Sequence, residues 1–182
     1  MIPKKKRWPI FLALAFVAVF FLAGCQVQKE KGEDVSQEAQ PYEGYPAPDF
    51  QLKDLSGETV RLSDLRGKAV LINFWSMSCS TCLSEMPDFE EFYRAKPENV
   101  EVLMINLDRD PDKVRTYIQN KRYTFRVLCD QKGETVRSYL IRGVPTTILV
   151  DEEGVIRSRI EGPVTREMLD SMVSTCGPDS PT

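Results

Sequence analysis

Residues 69–89 read AVLINFWSMSCSTCLSEMPDF and carry the strongest structural signal in the chain. The first seven are apolar apart from one asparagine, which predicts a buried strand, and apolar side chains recur at helical spacing from residue 79 onward. Between strand and helix stand two cysteines, Cys79 and Cys82, separated by two residues. On such a turn the two thiols can close a disulfide with one face open to solvent.

The position of this cysteine pair at the start of a helix favours redox chemistry. The helix dipole and the unpaired N–H groups stabilise a thiolate, the nucleophile of thiol–disulfide exchange. Cys79 is then the exposed attacking thiol and Cys82 the thiol that resolves the mixed disulfide. The same spacing also forms half of a zinc site, which needs four ligands. The chain has no histidine and no second Cys-x-x-Cys, so the redox interpretation is favoured.

The amino terminus predicts export. Four basic residues at positions 4–7 precede an apolar run of 13 residues at positions 10–22. As a helix this run rises about 20 Å, short of the roughly 30 Å hydrocarbon core, so residues 1–24 are predicted to be a signal peptide. Its end, Leu22-Ala23-Gly24-Cys25, resembles a bacterial lipobox, which implies a lipid on Cys25. The alternative is an uncleaved signal anchor; either places the domain outside the cytoplasm, on the cytoplasmic membrane.

Charge and cysteine usage agree with an exported protein. Removing residues 1–24 takes four of the 24 basic residues and none of the 27 acidic ones, leaving a net charge of −7 and no sign of a nucleic-acid surface. Assigning Cys25 to lipid leaves Cys129 and Cys176 beside the central pair. These two form a structural disulfide, or Cys129 is a small apolar residue at a strand end, and the sequence leaves both open.

The mature chain divides into a tether, one domain and a tail. Residues 25–45 are polar, without apolar periodicity, and predict a lipidated flexible tether. Residues 46–176 alternate strands with helices after a short hairpin, which predicts an α/β sandwich with a mixed sheet. Residues 177–182 are a tail. The expected strands are 50–52, 59–62, 69–74, 100–106, 126–129, 146–150 and 155–160, and the expected helices begin near residues 79, 111, 134 and 165.

Several segments of residues 46–175, taken in order, carry a family resemblance. They are Ala47-Pro48-Asp49-Phe50, Leu62-Ser63-Asp64-Leu65-Arg66-Gly67-Lys68, Asn73-Phe74-Trp75 leading to Cys79-x-x-Cys82 and Glu85-Met86-Pro87, and Gly143-Val144-Pro145-Thr146-Thr147. The chain resembles thioredoxin-fold proteins of the TlpA/ResA type, membrane-tethered thiol–disulfide oxidoreductases of bacteria. The resemblance implies a three-layer sandwich with helices on both faces of the sheet.

The resemblance also implies roles for individual residues. Pro145 is expected to be a cis-proline facing the disulfide, the alternative being an ordinary trans proline at a strand edge. The Val144 backbone would then pair with an extended substrate, and Trp75 and Pro145 are expected substrate contacts. Glu85 shares a helix face with Cys82, and in the family a carboxylate there exchanges protons with the thiols. The alternative for Glu85 is a solvated helix residue.

The chain departs from its relatives around the cysteines. Many relatives carry Trp where this chain has Ser78, and Pro within the motif, where it has Ser80-Thr81. Thioredoxin itself has a buried acid where this chain has Asn73. These changes alter the hydrogen bonds around the thiolate, so the reduction potential does not carry over from the family.

The predicted function is reduction of disulfides in exported proteins. The resemblance implies a membrane thiol-transfer protein as electron donor, apocytochrome c as one substrate, no cofactor beyond the Cys79–Cys82 disulfide, and a monomer. The alternatives are an oxidase of the same fold, a peroxiredoxin-like peroxidase and a lipoprotein that only binds a partner. Ile72 stands where the peroxidase loop needs a proline, and a copper-delivery role would need a histidine that the chain lacks.

Overall fold

The structure is a computed structural model, described here for residues 37–175. The predicted signal peptide, Cys25, the first part of the predicted tether, Cys176 and the tail lie outside the described residues. No helix within residues 37–175 is both long and apolar enough to cross a membrane.

Seven strands form one mixed sheet in the order β2-β1-β5-β4-β3-β6-β7. The strands are β1 (Gln51–Asp54), β2 (Thr59–Arg61), β3 (Ala69–Trp75), β4 (Val100–Asn106), β5 (Arg126–Cys129), β6 (Thr146–Val150) and β7 (Ile156–Glu161). The three strands β3, β4 and β5 run parallel to one another, and the other pairs are antiparallel.

Within residues 37–175, three α-helices and one 3-10 turn connect strands, and a fourth α-helix follows β7. They are the 3-10 turn Leu62–Leu65, α1 (Ser80–Ala95), α2 (Pro111–Lys121), α3 (Glu134–Ser138) and α4 (Arg166–Ser174). Asp110 caps α2 by accepting from the N–H groups of Asp112 and Lys113, with Pro111 at the first helical position. This arrangement is favourable because proline lacks an N–H that would otherwise need a partner.

Strand β3 is the centre of the molecule, since all seven of its residues are buried. Burial on both faces explains its almost continuous apolar sequence. Alternate side chains of β3 enter two apolar clusters, one on each side of the sheet. The first cluster contains residues of α1, α2 and α4, and the second contains the hairpin, the 3-10 turn and Tyr139 after α3. The predicted fold, a thioredoxin-like three-layer sandwich, is confirmed.

The folded part begins before residue 46, which corrects the predicted extent of the tether. The Gly44 N–H donates to the Ile156 carbonyl at 2.8 Å, and the Ile156 N–H donates to the Tyr45 carbonyl at 2.9 Å. The Glu43 carboxylate accepts from the Arg159 N–H at 2.9 Å. The outer strand β7 has backbone groups that β6 does not pair, and this polar segment supplies partners for them. The polar composition of this segment did not indicate that it pairs with β7.

The side chain of Tyr139 ties the carboxyl end of α3 to the start of the domain. Its ring is fully buried against Phe50 and Phe74, and its hydroxyl donates to the Pro48 carbonyl at 2.7 Å. We expect Tyr139→Phe to lower the free energy of unfolding by about 1 kcal/mol, because the partly buried Pro48 carbonyl loses its donor. Urea unfolding measures the difference. The matched control, Tyr42→Phe, alters a ring that is 53% exposed and should change stability by less than about 0.5 kcal/mol. Equal effects of the two substitutions would contradict this role of Tyr139.

Candidate active site

The cysteine pair occupies the turn between β3 and α1. Cys79 and Cys82 are joined by a disulfide with Cα atoms 5.2 Å apart. Cys79 caps α1, because its Sγ accepts from the Cys82 N–H at 3.1 Å. Its side chain is partly exposed, whereas Cys82 is fully buried. This difference in exposure leaves Cys79 as the sulfur that a substrate can reach, whereas Cys82 is closed off from solvent.

A carboxylate that the sequence did not single out holds the loop before Cys79. Asp108 accepts from the Ser76 hydroxyl at 3.0 Å, from the Met77 N–H at 2.8 Å and from the Asn106 side-chain amide at 2.8 Å. Because β3 and β4 are parallel, their carboxyl ends meet at one edge of the sheet, which brings Asp108 beside this loop. An acid just after a buried parallel strand was the available signal for this contact.

The Val144–Pro145 bond is cis, as the resemblance implied, and the trans alternative is wrong. The Val144 carbonyl oxygen lies 3.5 Å from the Sγ of Cys79. The Val144 N–H has no hydrogen-bond partner among residues 37–175. A backbone N–H without a partner, in the residue whose carbonyl lies near the partly exposed sulfur, is free to pair with an extended peptide.

The carboxyl group of Glu85 is buried close to the cysteine pair, with only 3% of the residue exposed. One oxygen accepts from the Asn73 side-chain amide at 3.0 Å, and the other accepts from the Val164 N–H at 2.9 Å. Burial raises the pKa of Glu85 to about 7, with a smaller contribution from Asp88, against the two hydrogen bonds that lower it. The interpretation of Glu85 as a solvated helix residue is therefore wrong.

Asn73 connects Glu85 to strand β6. Its side-chain nitrogen donates both to Glu85 and to the Thr147 hydroxyl, at 3.0 Å each. Its carbonyl oxygen is buried and has no partner in the described part of the chain. Sequence comparison marked Asn73 as a departure from thioredoxin, but the contacts with Thr147 and Val164 were not predicted.

Trp75 does not occupy the position that the family resemblance suggested. Its side chain has no exposed surface and packs against Tyr117, with ring centroids 6.3 Å apart. The expectation that Trp75 contacts a substrate is corrected, because a fully buried ring cannot do so in this conformation. Trp75 lies in the same apolar cluster as Cys82, so it supports the site from within.

The third cysteine in the described region lies apart from this pair. Cys129 is half-buried at the end of β5, opposite Lys53, and burial raises the pKa of its thiol. Its suggested partner Cys176 is outside the described residues, so that disulfide stays a prediction. Residues 37–175 contain no group of three or more histidine, cysteine or acidic side chains arranged to hold a metal ion.

A strand-to-helix cysteine pair with one reachable sulfur, set against a cis-proline, belongs to the thioredoxin-fold class of thiol–disulfide oxidoreductases. The fold, together with the different exposure of the two cysteines, places this chain in that class. Proteins of this class use a redox-active cysteine pair rather than a bound cofactor, and here Cys79 and Cys82 form the corresponding disulfide.

Comparison with known proteins identifies the family. The AhpC/TSA family model matches residues 44–159, and the chain belongs to that family. The chain is also 35% identical over 136 residues to the thiol-disulfide oxidoreductase ResA of Geobacillus kaustophilus, covering 74% of this chain and 78% of that protein.

Two solved structures show the same likeness. StoA from Bacillus subtilis has a TM-score of 0.63 and 30% identity, covering 69% of this chain and 96% of that one. The exposed lipoprotein thioredoxin Etrx1 of Streptococcus pneumoniae has a TM-score of 0.64 and 28% identity, covering 70% of this chain and 99% of that one. The chain is a thiol–disulfide oxidoreductase.

The raised pKa of Glu85 makes stability depend on pH. The folded protein retains a proton that the unfolded chain releases near pH 4.5, so the contribution is complete below pH 4.5 and is lost as pH rises to about 7. This loss amounts to about 3 kcal/mol. We expect Glu85→Gln, which stays neutral, to remove it. Urea unfolding of the oxidised protein from pH 4.5 to 8 measures the slope.

Glu91→Gln is the matched control, because Glu91 lies on the same helix with an exposed side chain. It should keep the pH dependence of the wild type. Parallel stability curves for the wild type and Glu85→Gln would contradict the buried ionisation.

Proposed function

We propose that the chain is an extracytoplasmic, membrane-tethered protein-disulfide reductase that acts through the Cys79/Cys82 dithiol. The observation that carries this proposal is the partly exposed Cys79, whose Sγ lies 3.5 Å from the carbonyl oxygen of Val144, a residue whose N–H has no partner among residues 37–175. A small disulfide needs only the sulfur, whereas a protein substrate also presents a backbone that the Val144 edge can bind. The geometry therefore favours a polypeptide disulfide as substrate.

The first chemical step is attack on the substrate. Cys79, in its thiolate form at the start of α1, attacks one sulfur of the substrate disulfide. A mixed disulfide forms, and the second substrate sulfur leaves as a thiolate that takes a proton from solvent. Asp108 holds residues 76–77 and so fixes the approach to Cys79.

The second step resolves the mixed disulfide inside the protein. The buried Cys82 thiol must lose its proton before it attacks, and Glu85, one helical turn away, is the proposed acceptor. The Cys82 thiolate then attacks Cys79 Sγ and expels the substrate sulfur as a thiolate, which takes a proton. The substrate gains two electrons and becomes a dithiol, while Cys79 and Cys82 become the disulfide.

The proposed cycle closes with a donor at the membrane. A membrane thiol-transfer protein returns two electrons to the Cys79–Cys82 disulfide, and a lipid on Cys25 keeps the domain at that surface. The lipobox-like segment and the likeness to Etrx1, named as an exposed lipoprotein, support this location. Apocytochrome c is the candidate substrate suggested by the family resemblance. The proposed form is a monomer that binds no nucleic acid.

Trapping tests whether the substrate is a protein. In Cys82→Ala, Cys79 forms a mixed disulfide that cannot be resolved, so a covalent partner should accumulate in cells and appear on non-reducing gels. Cys82→Ala combined with Cys79→Ala should trap nothing. Cys129→Ala, which alters a half-buried cysteine outside the motif, should behave as the wild type. If Cys82→Ala accumulates no linked partner, exchange with a protein substrate is the wrong function.

The reduction potential tests the direction of electron flow. Equilibration of the Cys79/Cys82 pair against glutathione should give a value nearer the reducing end, about −270 mV, than the oxidising end, about −120 mV, of this fold's range. A value near the oxidising end would instead assign the chain as a disulfide-forming oxidase. Consumption of hydrogen peroxide at a rate exceeding disulfide exchange would favour a peroxidase.

A further inference from the structure

The contacts of Glu85 suit only one of its two protonation states. The two groups within hydrogen-bond distance of its carboxyl oxygens, the Asn73 nitrogen and the Val164 N–H, are both donors. An ionised carboxylate accepts from both, but a carboxylic acid must also donate one proton. None of the described residues offers it an acceptor in this arrangement. Burial nevertheless favours the neutral carboxylic acid. This form therefore needs a hydrogen-bond acceptor, just as the carboxylate needs its two donors.

The side chain of Asn73 holds the missing acceptor. Its nitrogen uses both protons, one toward Glu85 and one toward Thr147, while its oxygen is buried without a partner. The oxygen and nitrogen of an asparagine amide are nearly the same size, so a half-turn of the amide exchanges them. The oxygen would then stand about 3.0 Å from the Glu85 and Thr147 oxygens, as the nitrogen does now.

We propose that Asn73 is a positioning residue whose amide turns with the protonation state of Glu85. The amide nitrogen donates to the Glu85 carboxylate, and after the turn the amide oxygen accepts from the Glu85 carboxylic acid. The Thr147 hydroxyl serves both orientations, because it accepts in the first and donates in the second. The functional part of this inference rests on the proposed role of Glu85 as the proton acceptor of Cys82.

Few other groups near Glu85 could both donate to its carboxylate and accept from its carboxylic acid. Its own helix contributes Cys82 and the Asp88 carboxylate, which raises the pKa of Glu85. From β3 and β6 come Asn73 and Thr147, and the segment before α4 contributes the Val164 N–H. Of these, the Asn73 amide is within hydrogen-bond distance of the carboxyl and carries both a donor and an acceptor.

The chemistry of position 73 explains why an amide serves better than its alternatives. An aspartate there would place a second carboxylate about 3.0 Å from Glu85 and would disfavour ionisation of both. A leucine of similar size could form no hydrogen bond with either protonation state of Glu85. An amide lets Glu85 take up the Cys82 proton and release it again with a hydrogen bond in each state.

Infrared spectroscopy of the wild type tests the turn directly. The full chain is labelled with ¹³C at the side-chain carbonyl of asparagine, and the Asn73→Leu spectrum is subtracted to isolate Asn73. Between pH 9 and pH 5 we expect this carbonyl band to move to lower frequency, because its oxygen passes from no donor to two. The shift should follow the carboxyl band of Glu85 and disappear in Glu85→Gln. A carbonyl band that stays fixed while Glu85 titrates would overturn the proposal.

The pH dependence of resolution tests the functional consequence. Decay of a preformed mixed disulfide on Cys79 should show an inflection near pH 7 that is lost in Glu85→Gln. In Asn73→Leu the inflection should rise by about one pH unit, since the carboxylate loses a charge-assisted hydrogen bond whereas the carboxylic acid loses only a weaker neutral one. Asn120→Leu, at an exposed position on α2, is the control and should leave the inflection unchanged.

The outcomes separate the two ideas. An unchanged inflection in Glu85→Gln would overturn the role of Glu85 in proton transfer. Loss of the inflection in Glu85→Gln together with an unchanged one in Asn73→Leu would overturn the role of Asn73 alone. If Asn73→Leu does not fold, the pH-difference spectrum of Glu85→Gln is subtracted from that of the wild type, which leaves the change in the Asn73 carbonyl band that depends on Glu85, and the first test still decides.

Discussion

Burial of β3 on both faces is the constraint on which the rest of the structure depends. A strand covered on both sides must pair its backbone on both edges, and β3 does so with parallel β4 and antiparallel β6. Trp75 thereby lies opposite Asn106, and Phe74 lies opposite Thr146. The turn with the cysteines, the loop with Asp108 and the cis-proline segment consequently meet at one edge of the sheet.

The same burial gives the one polar side chain of β3 its importance. Asn73 has no exposed surface, so its amide must find partners inside the protein. The amide nitrogen finds them on α1 and β6, and the helix partner is Glu85. A buried amide and a buried acid thus stabilise each other, one helical turn from Cys82, for which Glu85 is the proposed proton acceptor. Core packing and the proposed proton transfer therefore use the same side chains.

The sequence predicted those parts of the site that are formed by residues close together in the chain. The apolar run of β3, the helical spacing of α1 and the Cys-x-x-Cys spacing each involve neighbouring residues. Motif resemblance located Pro145. Helical spacing placed Glu85 on the face of Cys82, but spacing alone does not say whether that part of the face is covered.

The contacts that the sequence missed are long-range. The donor to Glu85 from Val164 is a backbone N–H 79 residues away, and no side-chain pattern identifies such a group. Asp108 reaches the cysteine loop only because β3 and β4 are parallel and in register. The pairing of residues 44 and 45 with β7 was hidden because polar composition describes side chains, whereas this contact uses backbone. Trp75 was misassigned since an aromatic residue at a strand end suits both core and surface.

The location of the acid on α1 has a chemical consequence. In thioredoxin the buried acid stands on the strand, so its distance to the resolving thiol depends on how strand and helix pack. Here Glu85 and Cys82 are one turn apart on the same helix, which fixes their separation by helix geometry. The strand position is then free to hold a neutral amide that serves both charge states of the acid. The partly exposed Cys79 thiol at the helix start can lose its proton to solvent, whereas the buried Cys82 thiol requires an acceptor inside the protein. Because the proposed acceptor Glu85 lies on the same helix as Cys82, helix geometry keeps the two groups at a constant separation.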